Sequence, residues 1–280
     1  MKTYLDCIPC FVRQALEASK MAAGNKAKQE KALKKVLSEL GKTSLSGKIP
    51  SDIAHKVHRI VREVTGNSDP YKKLKDEYNR KALKMYPGLK RRVSRSRDRL
   101  LTATKLAIAG NIIDFGPGSG FDLEKTIEEV LVQDFTIDHF NKFKEALQKS
   151  EKIVYIGDNA GEIVFDRILL EELKGKEITF VVKGGPIIND ATVEDAKFVS
   201  INKIAKIKTV SNGEPGTGPK RNSKEFINLL KSADIVISKG QGNYEALSEV
   251  NANIFFLLKV KCPTIANDIG VKIGSIVVKG

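Results

Sequence analysis

Two carboxylates and an amide stand where a hard divalent cation could be held. Asp158 and Asn159 sit together in Gly157-Asp158-Asn159-Ala160-Gly161-Glu162, and Asp190 follows in Ile187-Ile188-Asn189-Asp190-Ala191-Thr192. Mg²⁺ and Mn²⁺ prefer carboxylate, amide and carbonyl oxygens and keep water positions open for a substrate. Asp158 and Asn159 offer two such oxygens from one turn, and Asp190 offers a third from the next loop. Lys239 and Lys261 are point charges suited to phosphate oxygens. Gly240 and Gly242, in Lys239-Gly240-Gln241-Gly242-Asn243-Tyr244-Glu245, allow backbone amides to approach an anion. The chemistry implied is hydrolysis of a small phosphate ester, with Asp158, Lys239 and Lys261 as catalytic residues and a bound cation polarising the phosphoryl group. Whether water or Asp158 attacks phosphorus is left open. Each piece has a plainer reading alone: Asp-Asn after a strand is a common turn, Asp190 suits a helix cap, and a KGxG string is weak.

Their shared position strengthens the joint reading. After Ser150, short β-rich runs alternate with helical ones: Ile153–Ile156, Ile178–Val182, Ile207–Val210, Ile235–Ser238 and Ile254–Leu258, then Thr264–Ala266 and Ser275–Val278. Continuous apolar strands separated by helices imply right-handed crossovers in a parallel sheet, with ligands beyond the carboxyl ends of the strands. Gly157–Glu162 and Lys239–Glu245 directly follow such runs, and the Asp190 string follows Ile178–Val182 after Lys183-Gly184-Gly185-Pro186. Before Gln148 the pattern is helical. Phe11, Ala15, Ala18 and Ala22 share one face, as do Ile53, Val57, Ile60, Val61 and Val64, with Ser51 or Asp52 as a cap and Gly66 as a stop. Ser68-Asp69-Pro70 opens a third helix, and Leu100–Ala109 reads as a buried one ahead of Gly116-Pro117-Gly118-Ser119-Gly120. The expected fold is α/β: a three-layer, Rossmann-like parallel-sheet domain over 151–280, an all-helical domain over 1–120 and a helical connection over 121–150.

The net charge of +14 lies entirely in the first third: residues 1–100 carry 25 Lys and Arg against 10 Asp and Glu, and the remainder carries 23 against 24. A basic surface of this kind suits nucleic acid or anionic metabolites, and Arg91, Arg92, Arg95 and Arg99 stand at helical spacing. A solvated helical face is the plainer reading, and nucleic acid is not the expected partner. A non-catalytic nucleotide- or nucleic-acid-binding protein is one alternative, and a methyltransferase on the same fold is another. The latter lacks the G-x-G-x-x-G spacing. No apolar run is long enough to span a membrane and no secretory h-region opens the chain, so the expected location is the cytoplasm. Absence of Trp with abundant Lys, Glu and Ile leans towards a heat-adapted source. His55 and His58 share a helix face without a third ligand and read as structural. Serine-hydrolase and P-loop strings are absent.

GDNAGE, GGPIINDAT and SKGQGNYE, in that order, resemble the damage-control phosphatases, formerly domain of unknown function eighty-nine. CIPC at 7–10, DPY at 69–71 and AIAGNIID at 107–114 extend the resemblance over nearly the whole chain. It implies a metal site at Asp158, Asn159 and Asp190, loaded with Mn²⁺, Ni²⁺, Co²⁺ or Mg²⁺, and a small phosphorylated metabolite as substrate. It also implies substrate contacts from Gly240, Gln241, Gly242, Asn243, Tyr244 and Lys261. Relatives close an Arg-Thr-x-Lys string with that lysine. Here the stretch reads Leu258-Lys259-Val260-Lys261, which weakens the inference to sugar phosphates. A substrate-binding Glu in some relatives stands one position beyond Glu162, which is therefore carried as a candidate contact only. Asn111 and Asp114 either line the cleft or satisfy the glycine turn that follows. The CxxC motif marks the branch for which oxidised purine nucleotides are proposed substrates. Physically, Cys7 and Cys10 allow a shared metal, a redox couple or simple packing, and Cys262 either joins them or is a small buried residue.

Overall fold

The structure, a computed structural model, describes residues 1–111, 123–209 and 224–280. The chain opens with three helices, α1 (Cys7–Ala22), α2 (Lys26–Lys42) and α3 (Pro50–Thr65). Their apolar stripes close on one core containing Phe11, Ala15, Ala18, Val36, Ile53, Val57 and Val61. α3 starts at Pro50, with Ser51 and Asp52 inside its first turn rather than capping it, and ends at Gly66 with φ 75°. Proline suits the first helical position because its missing N–H has no intrahelical partner there. The lysine-rich α2 has too thin an apolar stripe to be singled out by composition.

α4 (Lys72–Arg95), α5 (Arg99–Gly110), α6 (Leu123–Val132) and α7 (Phe140–Lys149) follow, with a short strand β1 (Ile137–Asp138) before α7. The remaining elements are β2 (Lys152–Ile156), α8 (Glu162–Glu172), β3 (Glu177–Val182), α9 (Val193–Phe198), β4 (Lys206–Thr209), α10 (Lys224–Lys231), β5 (Ile235–Lys239), α11 (Gly240–Leu247), β6 (Ile254–Lys259), α12 (Pro263–Ile269) and β7 (Ile276–Lys279). Asp69 accepts from the Tyr71 amide and pairs with Lys75 at 2.8 Å, anchoring the start of α4 two residues later than its sequence suggests. Asp114, the 116–120 glycine turn and Ser211-Asn212-Gly213 with its loop lie outside the described residues.

The seven strands form one sheet in the order β1-β7-β6-β5-β2-β3-β4. β6, β5, β2, β3 and β4 are mutually parallel, whereas β7 runs antiparallel to β6 and β1 parallel to β7, so the sheet is mixed rather than purely parallel. Alternation sorts the side chains. Tyr155, Phe180, Ile237 and Leu257 face α4, α5, α7 and α8, while Val154, Val181, Val236 and Phe256 face the layer containing α10, α11 and α12. Each fully buried large apolar side chain contributes roughly 1.5–3 kcal/mol, so both layers are firmly seated on the sheet.

Two expectations change. Thr264–Ala266 is helical, not a strand: Pro263 opens α12 and Gly270, at φ 82°, closes it. A three-residue apolar run has no period of its own, so its flanking Pro and Gly decide it. The expected boundary at residue 120 also moves. α4 and α5 pack on α8 and share its core, leaving only the chain up to about Pro70 as a separate helical cap. No helix among the described residues is long and apolar enough to cross a membrane.

Candidate active site

From β2 the chain passes to β3 and β4 on one side and returns to β5 and β6 on the other. The helices that follow β2 and β5 lie on opposite faces: α8 packs into one core and α11 into the other. Their loops therefore diverge and leave a crevice at the carboxyl edge, the switch point where open α/β sheets bind ligands. The helical cap closes over it. The resulting cleft has a volume of about 470 Å³ and is lined from the sheet side by Asp158, Asn159, Lys183, Asn189, Asp190, Gln241, Gly242, Glu245 and Lys261. Cys10, Arg13, Gln14 and Glu17 of α1, and Ser51, Ala54 and His55 of α3, form the opposite wall.

Backbone pairing brings the two aspartates together. The Ala160 amide donates to the Asn189 carbonyl and the Ala191 amide to the Asp158 carbonyl, both at 2.8 Å, around an antiparallel Asn159–Asp190 bridge. Ile188 holds this loop at φ 43°, an unusual conformation for a β-branched residue and one that tends to persist at functional sites. α4 fixes both loops from outside. Asn79 accepts from the Gly161 amide at 2.6 Å and donates to Asp195, whose carboxylate completes the capping box of α9 with Thr192.

Asp158 Oδ2 accepts from Asn111 Nδ2 and from Asn159 Nδ2, each at 3.0 Å, and both amides also donate to Glu162. With its NH₂ turned inward, Asn159 leaves its amide oxygen for the cleft it lines. Burial raises the Asp158 carboxyl well above the ordinary range, Glu162 and Asp190 add to the rise, and Lys261 and Lys183 oppose it. Burial also raises Asp190, against the pull of Lys183, whose Nζ lies 3.6 Å away. Two desolvated, mutually repelling carboxylates beside an amide oxygen form an oxygen-only donor set that fits a hard dication, and such a charge would reverse both shifts. Among the described residues no group of three or more His, Cys, Asp and Glu side chains is placed to hold a metal. The candidate set has only two such residues, with Asn159 as the third donor.

Beneath this floor the structure gives Lys239 a different task from the one expected. Ile235, Ile237 and Lys239 alternate towards α8, so the lysine is fully buried and does not line the cleft. Its three ammonium hydrogens meet Ala107 O at 2.8 Å, Glu162 Oε1 at 2.7 Å and Asp166 Oδ1 at 2.6 Å. Burial raises Asp166 to about 6 even with Lys239 pulling it down, and Glu162 adds to the rise. Asn243 is also below the surface, donating to the Gly157 and Lys239 carbonyls and accepting from Lys183. Tyr244 points into the other core, against Phe256, with its hydroxyl donating to Asp268. Gly240, at φ 75°, lies so close under Asp158 that a Cβ there would overlap the Asp158 carboxyl and Asn111 Nδ2. Gly240, Asn243 and Tyr244 therefore lie behind the cleft lining, where they support the site. Asn111 and Glu162 lie in the same supporting layer, whereas Gln241 and Gly242 line the cleft.

Sequence reasoning did not select Lys183, Asn189, Arg13, Glu17 or Glu245. Lys183 follows β3 much as Lys239 ends β5, and position alone could have found it. The cap residues carry no local signal. Burial lifts the Glu245 carboxyl to about 8. Cys10 reaches the cleft while Cys7 lies behind it, and burial pushes the Cys7 and Cys262 thiols up. The raised Cys7 and Cys262 thiols are poor nucleophiles at neutral pH. The arginine stripe is interrupted by ion pairs, Arg92 with Glu128 and Arg99 with Glu172.

His58 orients the cap wall. Its Nε2 lies 3.2 Å from Gln14 Oε1, and Gln14 Nε2 donates to Cys10 Sγ at 3.3 Å. Burial, with Arg62 adding repulsion, lowers His58 to about 3. The unfolded chain, with an ordinary histidine near 6.5, takes up this proton first on acidification, so stability falls as pH drops from about 6.5 towards about 3. Near pH 5 this one group is expected to remove about 2 kcal/mol. Urea unfolding of His58→Gln should show a correspondingly shallower loss between neutral pH and pH 5; parallel profiles for the two proteins would exclude the effect.

A switch-point cleft with an acidic floor, roofed by a helical cap, defines a class of α/β ligand-binding and catalytic proteins. Within it, residues 3–277 match the family described as the damage-control phosphatase ARMT1-like domain, and the chain belongs to that family. It is 36% identical to a damage-control phosphatase of Pyrococcus horikoshii, over 99% of this chain and 97% of that one. It is 34% identical to a damage-control phosphatase of Archaeoglobus fulgidus, over 100% and 99% of the two chains. An uncharacterised protein of Methanocaldococcus jannaschii is 39% identical over 96% of this chain and 92% of its own. The crystal structure of a DUF89 family protein from Pyrococcus horikoshii superposes with a TM-score of 0.86 at 35% identity, covering 99% of this chain and 98% of that one.

Proposed function

We propose that this protein is a divalent-cation-dependent phosphatase for small, polar phosphate esters. The observation that carries the reading is the pair of partly buried, mutually repelling carboxylates, Asp158 and Asp190, facing one cleft at the switch point. A second feature supports it. Asn189 is 3% exposed and its Nδ2 has no hydrogen-bond partner among the described residues, yet it lines the same cleft. A buried donor left without an acceptor is costly, and a phosphoryl oxygen would satisfy it. The names of the relatives point the same way.

Asp158, Asn159 and Asp190 would hold the cation, Mn²⁺, Ni²⁺, Co²⁺ or Mg²⁺, which when bound supplies Lewis acidity towards the phosphoryl group and an acidified water. Lys261 and Asn189 bind phosphoryl oxygens, and Lys183 steadies Asp190 and Asn243. Glu162 and Asn111 hold the Asp158–Asn159 turn, and Lys239 neutralises Glu162 and Asp166 beneath it. The cap excludes water and selects the alcohol. Small polar esters fit the lining better than a purine nucleotide, because Tyr71, the only Phe, Tyr or Trp among the described lining residues, is just 4% exposed and offers little ring for stacking. Phosphate release from sugar phosphates and other small esters should cease with a chelator and return with one of the four cations. Release that is indifferent to chelation would refute the cation requirement.

A further inference from the structure

The cleft wall supplied by α1 consists of Cys10, Arg13, Gln14 and Glu17, which are neighbours along one helix face. Phe11, Ala15 and Ala18 on the other face are locked in the cap core, so this wall has a fixed orientation. Gln14 is engaged by His58 and Cys10. Arg13 and Glu17 make no ion pair or hydrogen bond with any other described residue. Opposite charges four apart on a helix commonly pair, and Lys72 with Asp76, in the same order along the chain, does so at 2.7 Å. Arg13 and Glu17 instead stand side by side over the cleft with both charges available.

We propose that Arg13 and Glu17 form the subsite for the alcohol part of the ester, and that the preferred alcohol carries a carboxylate next to a hydrogen-bond donor. The proposal rests on the phosphatase reading and adds the substrate class. A planar guanidinium takes a carboxylate through two parallel hydrogen bonds, which a hydroxyl cannot reproduce. The Glu17 carboxylate, one helical turn away, accepts from a hydroxyl or ammonium on the adjacent carbon. A short α-hydroxy or α-amino acid esterified by phosphate would bridge this wall and the Asp158–Asp190 floor. Burial keeps Glu245, on the same cleft, largely neutral near pH 7, so it adds little repulsion towards such an anion.

Three esters share a three-carbon chain and a terminal phosphate: glycerol 3-phosphate, 3-phosphoglycerate and O-phosphoserine. The first lacks the carboxylate, and the other two differ in hydroxyl against ammonium. Phosphate release by the full chain with Mn²⁺ or Mg²⁺ should show KM values for the two acids lower than that for glycerol 3-phosphate, on the order of tenfold. Arg13→Gln should bring that ratio to about one through KM rather than kcat. Glu17→Gln should weaken O-phosphoserine more than 3-phosphoglycerate if ammonium is the preferred donor, and 3-phosphoglycerate more if hydroxyl is; no change with either acid overturns the part given to Glu17. Release from glycerol 3-phosphate with no preference for the acids, or a preference that survives Arg13→Gln, overturns the subsite alone. No release from these three or from p-nitrophenyl phosphate with any of the four cations overturns the phosphatase reading and the subsite with it.

Discussion

Replacing Asp158 with alanine is expected to lower cation-dependent phosphate release by on the order of a thousandfold, while the protein melts no lower without cation than the unaltered chain. The two halves of this result have one cause. Asp158 is desolvated and repelled by Glu162 and Asp190, so its charge opposes folding, a cost that a bound cation would relieve. Its removal leaves no donor stranded, because Asn111 Nδ2 and Asn159 Nδ2 both keep Glu162 at 3.0 Å and 2.8 Å. The backbone bond from Ala191 to the Asp158 carbonyl also remains. Relief of repulsion offsets the small cavity, as is usual where a functional residue is held against its own electrostatics. A dication should raise the melting temperature of the unaltered protein by mass action and leave that of Asp158→Ala almost where it was. An equal rise in both proteins, or turnover within tenfold of the original, would remove Asp158 from the cation site.

Lys239→Met is expected to cost about 3–5 kcal/mol in urea unfolding, the range for breaking a buried ion pair from one side. Methionine fills much the same volume, but Glu162 and Asp166 then share a dry interior without their counter-ion, and the Ala107 carbonyl loses its donor. Lys239→Met combined with Asp166→Asn should recover part of the loss, since one of the two stranded charges is gone while Tyr155 can still donate to the residue at 166. Activity should fall as well, because Glu162 positions the amides that hold Asp158. A loss below about 1 kcal/mol would show that the ammonium is not the counter-ion of the floor.

The contrast between Lys239 and Lys183 shows where reading the chain stops. Each stands at the end of an apolar run, and spacing treats them alike. Lys239 is the last residue of β5 and falls on the same side as Ile235 and Ile237, under α8; Lys183 lies one residue past β3 and reaches the cleft. A one-residue difference relative to the strand end turns a side chain to the other face. That phase depends on where pairing ends, which neighbouring strands decide. Tyr244 misleads because its place in a glycine-rich string reads as exposed: on α11 it seats against Phe256 in the core, while Gln241 stays on the cleft.

The chain by itself settled the alternation of apolar strands with helices, and with it the edge of the sheet where Asp158, Asn159, Asp190 and Lys261 had to collect, because strand burial and crossover handedness are local and short-range effects. Only the tertiary structure decided which of these groups line the cleft and which hold the others in place. It also supplied the second wall. Arg13, Gln14 and Glu17 are more than 140 positions from Asp158, and nothing in their own neighbourhood marks them. Their place over the floor follows from how the cap core of Phe11, Ala15 and Val57 fixes α1, a packing outcome that no periodicity along α1 encodes.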